Sequence, residues 1–176
     1  MTFCPAPPLL ARHLVRGFLT LCALPVTLIL AASNPVLAEN KPVSLLQGKP
    51  AIGHEGVKNP QRLTDGMYSN EGDEWLTDVT SRFMSSRAFA EWDLGSPQPL
   101  RCALVQADNN DVYNMSTSTD GVNWQPLWRI GTENGAGMRL RNQKMETRAR
   151  YVRLSATGGD ALYSVAEVAA YAECPK

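Results

Sequence analysis

The chain is short of the residues that hydrolases, metalloproteins and nucleotide-binding proteins depend on. Of 176 residues only two are histidine, His13 and His54, and four are cysteine. No His/Cys cluster has the spacing of a zinc site, and no Gly-x-Ser-x-Gly elbow stands ready for a histidine to serve. No glycine-rich loop that could cradle phosphate precedes a helical pattern. Net charge is missing too: 17 Lys+Arg balance 17 Asp+Glu, so nothing draws the chain wholesale to nucleic acid. Long helical periodicity, internal repeats and low-complexity tails are absent. Asp73-Glu74 could act as a glycosidase carboxylate pair, but acidic pairs are common in surface loops. These absences favour a protein that binds over one that catalyses.

What is present begins with a leader. Arg12, His13 and Arg16 form a basic start, and Gly17 to Ala32 carries no charge. Val36-Leu37-Ala38 then offers small residues to a signal peptidase. Residues 1–38 are expected to be a signal peptide cleaved before Glu39, with export to the periplasm or secretion. An uncleaved N-terminal membrane anchor is the alternative, although the apolar run is short and Pro25 interrupts it. Lipidation at Cys22 would have to tolerate the bulky Leu21 before it. Loss of Arg12 and Arg16 leaves 15 basic against 17 acidic residues, a formal charge of −2. Residues 39–176 suit one domain with a single core. They retain Cys102 and Cys174, and in an exported chain an even pair reads as one disulfide. Two separately buried thiols are the alternative.

The remainder is written in short strands. Tyr113, Met115 and Thr117 alternate with Asn114 and Ser116, Asp120-Gly121 supplies a turn, and Trp124, Leu127, Trp128 and Ile130 resume an apolar strand. That is the pattern of a hairpin. Pro42 to Gly48 reads as a first strand, and Asn59 to Glu74 as a long polar loop. Phe89 to Leu94 alternates and ends at Gly95; Leu100 to Ala107 is a second apolar run, and Asp108 to Asp111 a turn. Beyond the glycine-rich loop Gly131 to Gly137, strands are expected over Met138 to Met145, Arg148 to Ala156 and Tyr163 to Ala172. About eight short strands without a long helix predict an all-β, eight-stranded antiparallel sandwich of jelly-roll type.

Six motifs stand in a telling order: Leu63-Thr64-Asp65-Gly66, Trp75, Trp92-Asp93-Leu94-Gly95, Ser118 to Trp124, Arg150-Tyr151-Val152-Arg153-Leu154, and Glu167. Over about residues 44–172 the chain resembles the discoidin family, the coagulation factor V/VIII type C domains. The bacterial branch of that family is similar to galactose-binding-like carbohydrate-binding modules. The resemblance implies a non-catalytic module that recognises carbohydrate or a glycoconjugate at the cell surface or envelope, through loops at one end of the sandwich. The alternative is an adhesion module for envelope protein or lipid. It would use an apolar tip such as Phe83, or the basic run Arg139, Arg141, Lys144, Arg148, Arg150 and Arg153. That run reads equally as an outward stripe paired with acidic neighbours.

The resemblance also implies sites. Related modules commonly hold a structural calcium between the Leu-x-Asp-Gly loop and the last strand. Carried over position by position, Asp65 and Glu167 would give carboxylates, Arg62, Met67 and Ala166 carbonyls, and Asn70 an oxygen. An Asx turn at Asp65 and an ion-paired Glu167 are the alternative. For the ligand, Tyr163 matches the position of a stacking aromatic in sugar-binding relatives, with Asp108, Asn109, Asn110, Asp111 and Trp75 expected on the same end. The four polar residues read equally as an ordinary turn, and Trp75 as a core plug. Sugar-binding relatives usually carry a His on the first loop and an Arg after the strand that Leu104-Val105-Gln106 occupies. Here the histidine is His54, near the first strand, and Asp108-Asn109 replaces the Arg, which weakens a galactose-type site. Many relatives tie the two domain ends with a disulfide, whereas Cys102 lies inside the domain.

Overall fold

The computed structural model is described over residues 41–176; the leader expected over 1–38 lies outside the described residues. Two-residue alternation governs the elements. In β5 (Val112–Ser118) Tyr113, Met115 and Thr117 are buried while Asn114 and Ser116 are half-exposed, as a strand with one face on a core requires. The other strands are β1 (Gly53–Glu55), β2 (Val57–Lys58), β3 (Ser81–Phe83), β4 (Phe89–Asp108), β6 (Gln125–Ile130), β7 (Met138–Gly158) and β8 (Tyr163–Tyr171). All ladders are antiparallel, in the order β2-β3-β8-β4-β7-β5-β6, with β1 on β4.

The two long strands turn a corner and so build both layers. Pairing of β4 with β7 slips between Asp93 and Gln98 and again between Leu100 and Cys102. Gly95 sits there at φ 89, and Pro97 and Pro99 have no N–H to give a ladder. Before the corner, Phe89–Asp93 pairs with Tyr151–Ser155, in a layer completed by β1, β5 and β6. After it, Cys102–Asp108 pairs with β8 and the first part of β7, in a layer completed by β2 and β3. The core fills the space between, with Ala90, Trp92, Val152 and Leu154 from one layer and Leu100, Val105, Val165 and Val168 from the other. Tyr113 bridges the layers, meeting Phe83 and Tyr163 edge-to-face at centroid distances of 6.3 and 6.0 Å.

Two details differ from the sequence pattern. Pro42–Gly48 is not a strand. Leu45 N–H donates to Ala170 O at 2.7 Å, Ser44 Oγ donates to the same carbonyl, and the chain then turns over 45–48. The runs 89–94 and 100–107 are one strand, as are 138–145 and 148–156, because a bulge bends a ladder without ending it. Cys102 and Cys174 are disulfide-bonded, with Cα atoms 5.3 Å apart, which clips the C-terminus to β4.

β8 is buried on both faces. Its outer face lies under the long segment 59–80, which opens with a short 3-10 helix at Pro60–Thr64. Gln106 of β4 pins that segment as a backbone would: its Oε1 accepts Ser69 N–H at 2.8 Å and its Nε2 donates to Ser69 O at 2.9 Å.

Candidate ligand-binding cleft at one end of the sandwich

β4 ends at Asp108, and the chain must reverse within three residues to enter β5. The buried Asn109 amide makes that turn part of a larger assembly. Its Nδ2 donates to Glu133 O at 2.7 Å and Gly135 O at 2.6 Å, and its Oδ1 accepts Glu133 N–H at 2.8 Å. Arg141 supplies a further donor, Nη1, to Oδ1 at 3.4 Å. Every hydrogen-bonding position of the amide is thereby filled. Arg141 itself is only 2% exposed. Its Nη2 donates to Ala107 O and Asp108 O at 2.8 and 3.2 Å, its Nη1 to Gly131 O at 3.0 Å, and its guanidinium lies 5.9 Å from the Tyr113 ring centroid. Burial pulls its pKa down, but a guanidinium stays charged in proteins.

A third segment closes on these two. Gly72 N–H donates to Met138 O and Met138 N–H to Asp73 O, both at 2.9 Å, while Asn109 N–H reaches Gly137 O at 3.1 Å. Gly137 has φ 71, and a Cβ there would collide with the carbonyls of Gly72 and Asp73. Only glycine satisfies both the left-handed backbone and that approach.

The three segments enclose a cleft of about 700 Å³. Asp73, Glu74 and Trp75 form one wall, Glu133 and Gly135 to Gly137 the other, and Asp108 to Asn110 the floor. Trp75 is half-buried, with the Arg82 guanidinium 5.1 Å from its ring centroid. Asp73 Oδ2 accepts the backbone and side-chain amides of Asn70 at 2.9 and 3.2 Å. The carboxylates of Glu74 and Glu133 have no hydrogen bond or ion pair among the described residues. Asp108 is 5% exposed, and burial pushes its pKa up. The amides of Asn109 and Asn110 both attract this carboxylate, but only Asn109 closes a hydrogen bond, to Oδ1 at 2.8 Å. Asn110 is exposed and donates from Nδ2 to Asp160 Oδ2 at 2.8 Å.

The structure thus brings Trp75, Asp108, Asn109 and Asn110 together and leaves two expected ligand residues out. Tyr163 is 2% exposed with its ring against Tyr113; a ring so covered cannot stack on a sugar. Its sequence position is at the start of β8, but the pleat there points into the core, opposite Phe83. Asp111 is fully buried behind the cleft. Its Oδ1 accepts Asp160 N–H at 3.2 Å and its Oδ2 has no partner. Burial, together with the charges of Asp160 and Asp108, pushes its pKa up to about 6. It pins the turn before β8 and does not line the cleft. Asn109 lines it but has no free hydrogen-bonding capacity.

The residues named for envelope protein or lipid are not gathered on one surface. Phe83 is a core residue, 1% exposed. The basic run makes no single patch. Arg141 is buried, Arg150 forks onto Asp93 at 2.9 and 2.8 Å, and Arg139 reaches Glu71. Arg153 forks onto Glu91 between the rings of Phe89 and Trp124. The roles of Glu133 and Arg141 in the cleft were missed from sequence; the triple glycine spacing of 131–137 was the one local signal that this loop approaches other backbone closely.

The Leu63–Gly66 loop does meet Glu167. That carboxylate is 1% exposed, and its Oε2 accepts Gly66 N–H at 3.0 Å. Burial, and then the charge of Asp65, pushes its pKa up to about 8 against the pull of Gly66. No cationic side chain pairs with it among the described residues, so the ion-paired alternative fails. Asp65 Oδ1 caps Met67 N–H at 2.9 Å as an Asx turn. Ala166 falls in the β8 bulge, between the partners of Gln106 and Ala107, which frees its backbone from the ladder. A buried carboxyl with no cationic partner, beside a second acid and a bulge carbonyl, fits a hard cation that would take the place of its proton. Asn70 fits less well, its backbone carbonyl accepting Asp73 N–H at 3.1 Å and its Nδ2 held by Asp73 Oδ2. No three His, Cys, Asp or Glu side chains among the described residues converge on a metal position, so carbonyls would have to complete the shell.

No protein-family model matches the chain, and no curated protein matches it. Several solved structures do. Chitosan-binding module 1 of a chitosanase/glucanase from Paenibacillus sp. IK-5 is 19% identical, with 73% of this chain and 98% of that one covered and a TM-score of 0.55. A fucose binding module of Streptococcus pneumoniae is 16% identical over 75% and 96%, TM-score 0.58. CpGH89CBM32-4 of Clostridium perfringens, solved with GlcNAc-α-1,4-galactose, is 14% identical over 78% and 99%, TM-score 0.57. At these identities the likeness is one of architecture: the chain has the galactose-binding-like, discoidin-like β-sandwich fold.

Proposed function

We propose that the domain is a non-catalytic carbohydrate-binding module that holds its glycan in the cleft between Trp75 and Glu133. The observation that carries this is the half-exposed indole of Trp75 beside the carboxylates of Glu74 and Glu133, which make no hydrogen bond or ion pair among the described residues, over a floor locked by Asn109 and Arg141. An aromatic face takes the apolar C–H side of a sugar, and planar polar groups on a rigid base take its hydroxyls. Structures of the same fold whose names record chitosan, fucose or a galactoside support this. A glycan array tests it: the wild type should retain one glycan class, and Trp75→Ala should weaken that binding about tenfold or more. A wild type that retains no glycan sinks the proposal.

Two further assignments belong with it. The Cys102–Cys174 bridge needs an oxidising compartment, which supports export to the periplasm or secretion; N-terminal sequencing of protein recovered from those fractions should begin at Glu39. Calcium is assigned to Glu167, Asp65 and the carbonyls of Arg62, Met67 and Ala166, bracing loops. Chelation should lower the melting temperature by a few degrees, and Glu167→Gln should abolish that dependence. A melting temperature indifferent to calcium removes the ion from the picture.

A further inference from the structure

We propose that the cleft selects a glycan carrying positive charge, an amino sugar whose nitrogen is not acylated. This rests on the cleft being a glycan site and adds which glycan. Four charged side chains line the cleft, Asp73, Glu74, Asp108 and Glu133, and every one is an acid. The arginines nearby are buried, paired with an acid or outside the lining. Arg141 is buried beneath the floor on the carbonyls of Ala107, Asp108 and Gly131. Arg139 lies at the rim beside Gly72 and Gly135, where it donates to Ala136 O and pairs with Glu71, and Arg82 sits on the Trp75 ring without lining the cleft. Asp160, outside the cleft, adds a further negative charge beside Asn110.

Burial singles out one of the four acids. Asp108 is almost wholly covered by protein, yet it lines the cleft and leaves Oδ2 without a hydrogen bond. On a residue otherwise covered by protein, that oxygen is an acceptor open to a donor from the ligand. Glu74 and Glu133 line the cleft with it, and their carboxylates make no hydrogen bond or ion pair among the described residues. A small metal ion does not answer this geometry, since no three acidic side chains converge on one point among the described residues. Acids spread around a cleft suit cationic groups spread along a chain. An ammonium donates three hydrogen bonds and accepts none, whereas a uronate or sulfate in the same place would meet like charge. The half-exposed indole beside these acids favours a sugar ring over a basic peptide, because it supplies a flat apolar wall as well as charge.

Calorimetric titration of the intact protein at about pH 6, where primary amines carry their proton, separates the outcomes. The probes are a glucosamine oligomer, the same oligomer N-acetylated, a uronate oligomer, and an oligolysine of equal charge. The glucosamine oligomer should bind at least about fivefold more tightly than its N-acetylated form, and the difference should shrink in high salt. Glu74→Gln and Glu133→Gln, both exposed, should each cost about two- to fivefold for the glucosamine oligomer and clearly less for the N-acetylated one, so that the preference between the two narrows. Equal affinity for the two glucosamine forms overturns the inference while leaving a neutral-glycan site in place. Tighter uronate binding overturns it too, and oligolysine binding as tightly as the amino sugar reduces the cleft to a charge trap. Failure to bind any of the sugars, on this titration and on the array, removes the glycan site itself.

Discussion

Two turns of the molecule are made from the same residue types and behave as opposites. Ser118 to Asn123, between β5 and β6, closes on itself. Asp120 Oδ1 accepts the N–H groups of Val122 and Asn123 at 2.9 and 2.8 Å and the Ser118 hydroxyl at 2.9 Å, and Oδ2 accepts Asn123 Nδ2 at 2.7 Å. These donors, Asn123 foremost, hold the carboxylate well below its ordinary range. Asp108 to Asp111, between β4 and β5, borrows instead: Asn109 reaches 24 and 26 residues along to Glu133 and Gly135, Arg141 comes from β7, and Asp111 reaches 49 residues to Asp160. Its carboxylates are buried and pushed upward. A turn that satisfies itself is inert, whereas one satisfied from elsewhere can leave an oxygen such as Asp108 Oδ2 for something outside the chain.

The sharpest break in that contrast should come from Arg141→Met. It removes the donor that three carbonyls and the Asn109 amide share, leaving buried acceptors unmatched and a void below the cleft. A loss of more than about 3 kcal/mol in urea unfolding is expected, a large share of the stability of such a domain. Asp120→Ala in the self-contained turn should cost far less. Equal losses would mean that the borrowed bonds are no more costly to break than the local ones.

The two turns should also answer pH with opposite signs. Asp111 has a folded pKa raised to about 6 above an ordinary value near 3.8, so the folded state holds its proton more tightly than the unfolded chain. Its favourable contribution is complete below about pH 4 and is lost as pH climbs through about 6, a change of up to about 3 kcal/mol. Asp120 is depressed, so its contribution is present above the ordinary carboxylate pKa and disappears on acidification. Unfolding free energies measured from pH 3 to 7 should therefore lose their fall between about 4 and 6 in Asp111→Asn, whatever that variant does to the overall level. In Asp120→Asn the acid-side loss should flatten instead. An unchanged profile for Asp111→Asn would show that its carboxyl is not the group being titrated.

This opposition also explains what could be read in advance. The β5–β6 turn was legible because all its bonds span three residues or fewer, and Ser-Thr-Asp-Gly-Val-Asn states them in order. The strands were legible because alternation is local, and so was the sandwich. The corner in β4 was only half legible: Gly95, Pro97 and Pro99 announce a bend, but whether a strand ends or bulges there depends on the ladder beside it. Tyr163 was misplaced for a related reason. Its neighbourhood in sequence suits a loop end, but one residue of register decides whether a ring meets solvent or Phe83. Arg141 sits in a basic run whose alternation reads as outward-facing, and only the pleat together with the carbonyls of Ala107, Asp108 and Gly131 reveals that it points inward.

The smallest effect is the most diagnostic, because it compares like with like. Asn109 and Asn123 are both turn asparagines whose amides are hydrogen-bonded, and Asn→Ala removes the same atoms from each. At Asn123 the lost bond is exposed, water replaces it, and the change should stay within about 0.5 kcal/mol. At Asn109 the partners are the backbone of Glu133 and Gly135 in a part-buried setting, so the cost should be about 2 kcal/mol. The loop 131–137 should also lose hydrogen-exchange protection at Glu133 N–H, the one amide that Asn109 Oδ1 accepts directly. Protection retained there in Asn109→Ala would mean that the wall bearing Glu133 holds its place without the floor, and that the cleft is assembled from independent loops.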